Sequence, residues 1–276
     1  MLQSLRRFGT FALVILAASA TPLRAQQQTP PLAGIAHIAI RVRSLDSARE
    51  FYNKLGFEEA FSLKGKDGKV NESFIKINDH QFIELYPGDP ENAPIGFLHV
   101  CFEGDNLEAI YDDYVAHGLT PTRVRKAGAG NLLFTLAGPA DANGVAQNIE
   151  YTQYQPGSLH SNDQGKHVGE DRVGETITSA AIAMRDPAAA RDFYLNELSF
   201  KSIAHDPMFL HMPGNSGQEI EIAAAASLGT KARFTLRTSN LAKAGRILRK
   251  QQIKAIKSTD TITVSDPDGN QIMIRQ

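Results

Sequence analysis

Two histidine–glutamate couples recur in the first half of this 276-residue chain: His37 with Glu84, then His99 with Glu150, at spans of 47 and 51 residues. Each histidine opens a stretch of alternating apolar residues, and each glutamate stands near the end of another. Imidazole nitrogens and carboxylate oxygens hold divalent transition ions, and two of each make a first coordination shell. Period-two counting puts His37, Ala39 and Arg41 on one strand face and Ile38, Ile40 and Val42 on the other. The same count groups Phe82, Glu84 and Tyr86, then His99 and Cys101, then Asn148, Glu150 and Thr152. A polar residue on each inward face is what a ligand cavity needs. Cys101 is the only cysteine, so no intramolecular disulfide can form. It reads first as a small buried hydrophobe and second as a thiol in the metal cavity.

The elements that must position these residues repeat. IAIRVRSLDSAREFYNKLGF, from Ile38, returns as AAIAMRDPAAARDFYLNELSF from Ala180, and LHVCFEGDNLEAIYDDYVAHGL, from Leu98, returns as ARFTLRTSNLAKAGRILRKQQI from Ala232. Each copy reads as a strand, a polar turn and an amphipathic helix. The first helix is expected over Asp46 to Leu55 with Gly56 just past its end, and Asp105 or Ser239 as N-cap in the second pair. Short alternating strands broken by turns such as Lys66-Asp67-Gly68 and Asp268-Gly269-Asn270 follow each helix. The chain thus predicts an α+β fold of four βαβββ modules in two pairs, 34–154 and 176–276. The stretch 155–175, poor in large apolar residues, is expected to be a linker.

The remaining features bound the partners. A net charge of −1 gives no reason to expect nucleic acid or an anionic membrane. Arg6 and Arg7 precede an apolar run from Phe11 to Ala20, followed by small and polar residues. This predicts a signal peptide over 1–25, cut after Ala20 or Ala25. The mature protein is then exported, periplasmic or secreted, with no membrane association, and acts on a small molecule as a monomer or homodimer.

The order and spacing of GIAHIAIRV, REFYNKLGF, FIELYPG, GFLHVCFE and NIEYTQY resemble the vicinal oxygen chelate superfamily, and RDFYLNELSF, EIEI and SDPDGNQIMI extend the likeness into the second half. That superfamily holds glyoxalase I, methylmalonyl-CoA epimerase, extradiol dioxygenases and bleomycin-resistance proteins. The resemblance implies tandem domains, each with two modules curled into a cup-shaped mixed sheet with helices outside. His37, Glu84, His99 and Glu150 then fall on all four metal-ligand positions of the glyoxalase and epimerase type. They imply one divalent ion: Zn, Ni, Co, Mn or Fe. Glu150 or Glu84 would also move the substrate proton, Arg41 would hold a substrate carboxylate, and Phe82, Cys101 and Asn148 would line the cup. Aligning the halves places Ser179, Glu221, Arg233 and Arg275 opposite the four ligands, so the second domain is expected to be metal-free. It would serve as scaffold, lid or substitute for a dimer partner. Only the first module paired with the second assembles the quartet.

Three chemistries stay open. A lyase or isomerase of glyoxalase type would transfer a proton beside a metal-chelated carbonyl. The strand Leu85-Tyr86-Pro87-Gly88 lacks the glutathione-binding extension, and export removes the protein from glutathione and coenzyme A pools, so those substrates are disfavoured. An extradiol-type dioxygenase needs two histidines, one carboxylate and open positions. A fourth ligand argues against it, and His80 and His117 lie in turn-like contexts rather than beside the metal. A non-catalytic binding protein of the bleomycin-resistance kind fits the ligand-poor second half.

Overall fold

A computed structural model describes residues 30–88 and 94–276; the expected signal peptide lies outside them. Alternation becomes strand along the chain. The first half runs β1 (Leu32–Val42), α1 (Leu45–Lys54), β2 (Glu59–Lys64), β3 (Val70–Lys76), β4 (Phe82–Pro87) and β5 (Gly96–Gly104), then α2 (Leu107–Ala116), β6 (Arg125–Lys126), β7 (Leu132–Ala140) and β8 (Ala146–Gln153). A short α3 (Leu159–Asn162) lies in the connecting segment. The second half runs β9 (Thr176–Met184), α4 (Pro187–Asn196), β10 (Lys201–Ile203), β11 (Asp206–His211), β12 (Glu219–Ala224), α5 (Ala225–Leu228) and β13 (Arg233–Arg237). It ends with α6 (Leu241–Lys250), β14 (Ala255–Lys257), β15 (Thr261–Ser265) and β16 (Gln271–Arg275).

These strands make two eight-stranded mixed sheets, ordered β2-β3-β4-β1-β5-β8-β7-β6 and β10-β11-β12-β9-β13-β16-β15-β14. In the first, an antiparallel β1–β5 pair joins the modules, and parallel partners β4 and β8 flank it. The second repeats this about β9–β13, with β12 and β16 as the parallel partners. A crossover helix lets each module's first and last strands run parallel. The first module therefore pairs with the second inside one sheet, the arrangement that assembles the quartet.

Helix starts follow side-chain capping. Ser44, Asn106, Asp186 and Asn240 each accept from the amide three residues on. The caps of α2 and α6 thus lie one residue beyond Asp105 and Ser239; the Ser239 hydroxyl instead bonds Glu175. Gly56 ends the first helix at φ 89°, and a Cβ there would meet the Asp171 carbonyl at 2.0 Å, so only glycine fits.

One continuous apolar core runs through both halves, from Ile38, Ile40 and Leu85 to Ile182, Ile222 and Ile274. Helix α4 packs on strands of both sheets, and the Tyr194 hydroxyl meets the Gln147 amide across the boundary. The Gln81 side chain bonds Ile35 O, Ile177 O and Ile177 N, tying β1 to β9. The segment 155–175 is more than a tether. Leu159 N donates to the Ala129 carbonyl, and buried Lys76 reaches the Asp163 carboxylate at 2.8 Å. Among the described residues no helix is long and apolar enough to cross a membrane.

Candidate metal centre

Strand register places the four residues on β1, β4, β5 and β8, in two cross-strand rows. His37 stands opposite Phe82 and Cys101, and Cys101 opposite Glu150; Ala39 stands opposite Glu84 and His99, and His99 opposite Asn148. The alternate residues Ile38, Ile40, Ile83, Val100 and Ile149 enter the helix-side core, which leaves the histidines and carboxylates on the concave face.

Three of the four converge. His37 Nε2 lies 3.1 Å from His99 Nε2 and 3.4 Å from Glu150 Oε1, and His99 Nε2 lies 3.8 Å from Glu150 Oε2. Ligand atoms about 2.1 Å from a common ion are separated by about 3.0–3.4 Å at octahedral or tetrahedral angles. The set therefore fits one ion with little movement, and His37, His99 and Glu150 form the metal-competent group. Glu84 is placed differently. Its Oε1 meets His37 Nδ1 at 3.1 Å, on the other side of the imidazole. A proton held on Nδ1 leaves Nε2 with the lone pair that a metal requires.

The electrostatics follow from burial and crowding. Burial raises the Glu84 carboxyl to about 8, with Glu150 and Glu72 adding to the rise and His37 opposing it. Burial pulls His37 down, but Glu84 and Glu150 outweigh it and raise the imidazole above its ordinary value. Burial takes His99 to about 4. Burial would lift Glu150, yet its bond to His37 and the nearby His99 bring it to about 2. The group thus has a neutral imidazole and an ionised carboxylate ready at neutral pH.

The other expected residues stand around this group in different settings. Cys101 is fully buried beside Glu150, its thiol 3.8 Å from the Phe102 carbonyl. Arg41 is half-buried at the end of β1, opposite Tyr86. Asn148 is exposed at the rim, and Phe82 is fully buried under the ring of His160 at 5.0 Å. Three residues outside the expected set join the site. Tyr86 OH lies 3.1 Å from Glu84 and 2.7 Å from Glu72, linking two carboxylates. The alternation Val70, Glu72, Phe74, Lys76 could have revealed Glu72. His160, in a polar stretch, carries no periodic signal. His80 pairs with Glu103 and His117 with the Asp113 carbonyl, both in other contacts.

The second sheet lacks a comparable group among the described residues. Ser179, Arg233 and Glu221 occupy the equivalents of His37, His99 and Glu84, and Arg233 is paired with Glu221. The equivalent of Glu150 is Met273, not Arg275. Cys101 stands opposite Glu150 as Thr235 stands opposite Met273. The β7–β8 hairpin continues past Ala137–Asn148 to Ala140–Ala146, whereas β15–β16 ends at Ser265–Gln271. Alignment on the turn glycines therefore misplaces the last strand by two residues.

Residues 36–135 match the Glyoxalase/Bleomycin resistance protein/Dioxygenase superfamily. No curated protein matches the sequence. Among solved structures the chain is similar to the 2,3-dioxygenase LapB from Pseudomonas sp. KL28, with 15% identity, a TM-score of 0.62, and 90% of this chain and 93% of that one covered. It is similar to a Mn(II)-bound glyoxalase from Novosphingobium aromaticivorans, with 13% identity, a TM-score of 0.66, and 88% and 82% covered. An extradiol ring-cleaving dioxygenase from B. fuscum gives 15% identity, a TM-score of 0.63, and 91% and 74% covered. The paired βαβββ modules and the match agree: residues 36–135 fall in a domain of the glyoxalase/bleomycin resistance/dioxygenase (vicinal oxygen chelate) superfamily.

Proposed function

We propose that this protein is a metal-dependent enzyme that binds a small substrate through two adjacent oxygens on an ion held by His37, His99 and Glu150. Of the two catalytic chemistries, the site supports ring-cleaving, extradiol-type oxygen chemistry better. The observation that carries this reading is the position of Glu84 on Nδ1 of His37, away from the convergence of the other three. Two histidines and one carboxylate leave open positions, the pattern of non-haem iron oxygenases. A ferrous ion there would supply a site for both substrate oxygens and dioxygen. The chain's own contributions are plain. His99 offers a neutral donor, Glu150 an ionised one, and Glu84 fixes the His37 ring. Deep burial of His37, Glu84 and His99 excludes bulk water.

A second reading keeps the glyoxalase or epimerase type. It is favoured by the Glu84 carboxyl, raised to about 8 and bonded to Tyr86, which could exchange a proton near neutral pH. One experiment separates the readings. Metal-free protein is loaded anaerobically with Fe(II) or Mn(II) and given a panel of catechols, with oxygen consumption followed; parallel samples receive 2-hydroxyketones in deuterated water. Oxygen consumed in proportion to catechol supports ring cleavage. Deuterium incorporation without oxygen uptake supports the isomerase reading. Tight binding with neither outcome leaves a binding protein.

A further inference from the structure

His160 is 3% exposed, and neither of its ring nitrogens has a hydrogen-bond partner among the described residues. It stands on α3, in the segment between the two halves, yet it belongs to the first cup. Its face stacks on Tyr154 at 4.3 Å, and Phe61, Phe74 and Phe82 stand roughly perpendicular to it at 4.9, 5.4 and 5.0 Å. Phe82 is the cross-strand partner of His37, and Phe74 of Glu84. His160 therefore lies on the metal side of the sheet, near enough for His37 to act on it electrostatically. Burial takes its pKa to about 3, so the ring is neutral, with one N–H donor and one lone pair.

The segment carrying it is fastened at both ends. Lys76, the cross-strand neighbour of Phe82, is buried and meets the Asp163 carboxylate and Asp79 at 2.8 Å each. At the other end Leu159 N donates to the Ala129 carbonyl at 2.8 Å. The segment thus reaches across the cup from β3 to the turn between β6 and β7. A buried polar ring without a partner is costly, and here it is held in place by a buried ion pair.

The geometry points to the segment Ser158–Asp163 as the outer wall of the substrate site, with His160 as the residue that hydrogen-bonds the end of the substrate remote from the metal. This rests on the vicinal-chelation reading above. The four aromatic rings suit a flat, unsaturated body. A neutral imidazole among them, with the nearby Lys76 ammonium already paired to Asp163 and Asp79, selects an uncharged polar substituent over a carboxylate. His160 is then a specificity-determining residue, and the phenylalanines set the shape.

The test uses Mn(II)-loaded protein with catechol and 4-nitrocatechol as probes, titrated by calorimetry. His160→Phe should weaken 4-nitrocatechol about fivefold to tenfold, the loss of one hydrogen bond, while catechol changes less than about twofold. His160→Gln, which keeps a donor, should recover most of the loss. Equal effects on both probes, or none on either, overturn the assignment. A second measurement needs no chelating ligand. In protein labelled with ¹⁵N-histidine, Mn(II) should broaden the His160 ring signals, assigned through His160→Gln. Metal uptake that leaves those signals sharp places the ring away from the cup and also overturns the assignment. If neither catechol binds the wild type, the chelation reading fails by itself. The wall is then judged with 4-nitrophenol, which has no second oxygen: a shifted His160 ring signal supports it and an unshifted one overturns it.

Discussion

The Glu84 carboxylate lies 3.1 Å from Nδ1 of His37, while Nε2 of the same ring faces His99 at 3.1 Å and Glu150 at 3.4 Å. One imidazole thus stands between a carboxylate that orients it and a cluster that can hold an ion. Such a partner fixes the tautomer and raises the ligand's basicity, and its loss lowers metal affinity about 10–100-fold.

Glu84→Ala should therefore weaken Mn(II) by about that factor, and Glu84→Gln by less than about tenfold, since the amide oxygen can still accept from Nδ1–H. His99→Ala, which removes a ligand, should weaken it more than either. Competition titration against a chelator of known affinity measures all three. If Glu84→Ala and His99→Ala lose equal affinity, Glu84 is itself a ligand and the four-ligand expectation returns.

A second prediction concerns the register of β16. Elemental analysis should give one tightly bound ion per chain. Arg233→His alone should leave that unchanged, because Ser179 and Met273 supply no ligand beside it. The triple variant Ser179→His, Arg233→His, Met273→Glu copies the rows of the first sheet and should raise the count to two. The same variant with Arg275→Glu in place of Met273→Glu should stay at one. The opposite result would restore the alignment on the turn glycines.

What the sequence made legible, and what it did not, divides along physical lines. Period-two alternation specifies a face, so His37, Glu84, His99 and Glu150 could be assigned to one concave surface before any geometry was known. Alternation does not specify a rotamer, so the displacement of Glu84 to the far side of His37 was not readable. Nor does a local motif report hairpin length, which is why Arg275 was aligned with Glu150 although Met273 occupies that place. His160 was invisible for another reason. It sits in Gly157-Ser158-Leu159-His160-Ser161-Asn162, which has turn chemistry and no period, and its burial depends on Lys76 capturing Asp163 from 87 residues away.

The third prediction tests the junction of the halves. Gln81→Ala leaves Ile35 O, Ile177 O and Ile177 N without their present partner, two bonds at 3.1 and 3.0 Å and one at 2.7 Å. Orphaned buried groups cost about 1–3 kcal/mol each, and partial rescue by water brings the expected loss to about 2–4 kcal/mol. The urea midpoint should fall with an unchanged slope if the halves unfold together. Two separate transitions in the variant would mean that the Gln81 bridge couples the sheets. An unaltered midpoint would show that the bridge adds nothing.

The last prediction is the pH dependence of metal uptake. In the metal-free protein His37 is raised above its ordinary value because Glu84 and Glu150 together outweigh burial, while Glu84 itself is raised to about 8 by burial and its acidic neighbours. The two groups face each other, so their proton belongs to the pair. An ion on His37 Nε2 competes with protonation of that nitrogen. Because the folded-state pKa of His37 is raised, this competition persists to higher pH than for an isolated imidazole, and affinity should climb as pH rises from about 5 toward 8. His99, at about 4, and Glu150, at about 2, add no protons in that interval, so the climb should approach one proton per ion, about tenfold per pH unit. Glu84→Gln removes the carboxylate that raises His37 most, and the climb should level off at lower pH. Calorimetry in buffers of different ionisation enthalpy counts the released protons directly. A flat affinity across this interval, or a climb in Glu84→Gln that levels off at higher pH than in the wild type, would refute the coupling between Glu84 and His37.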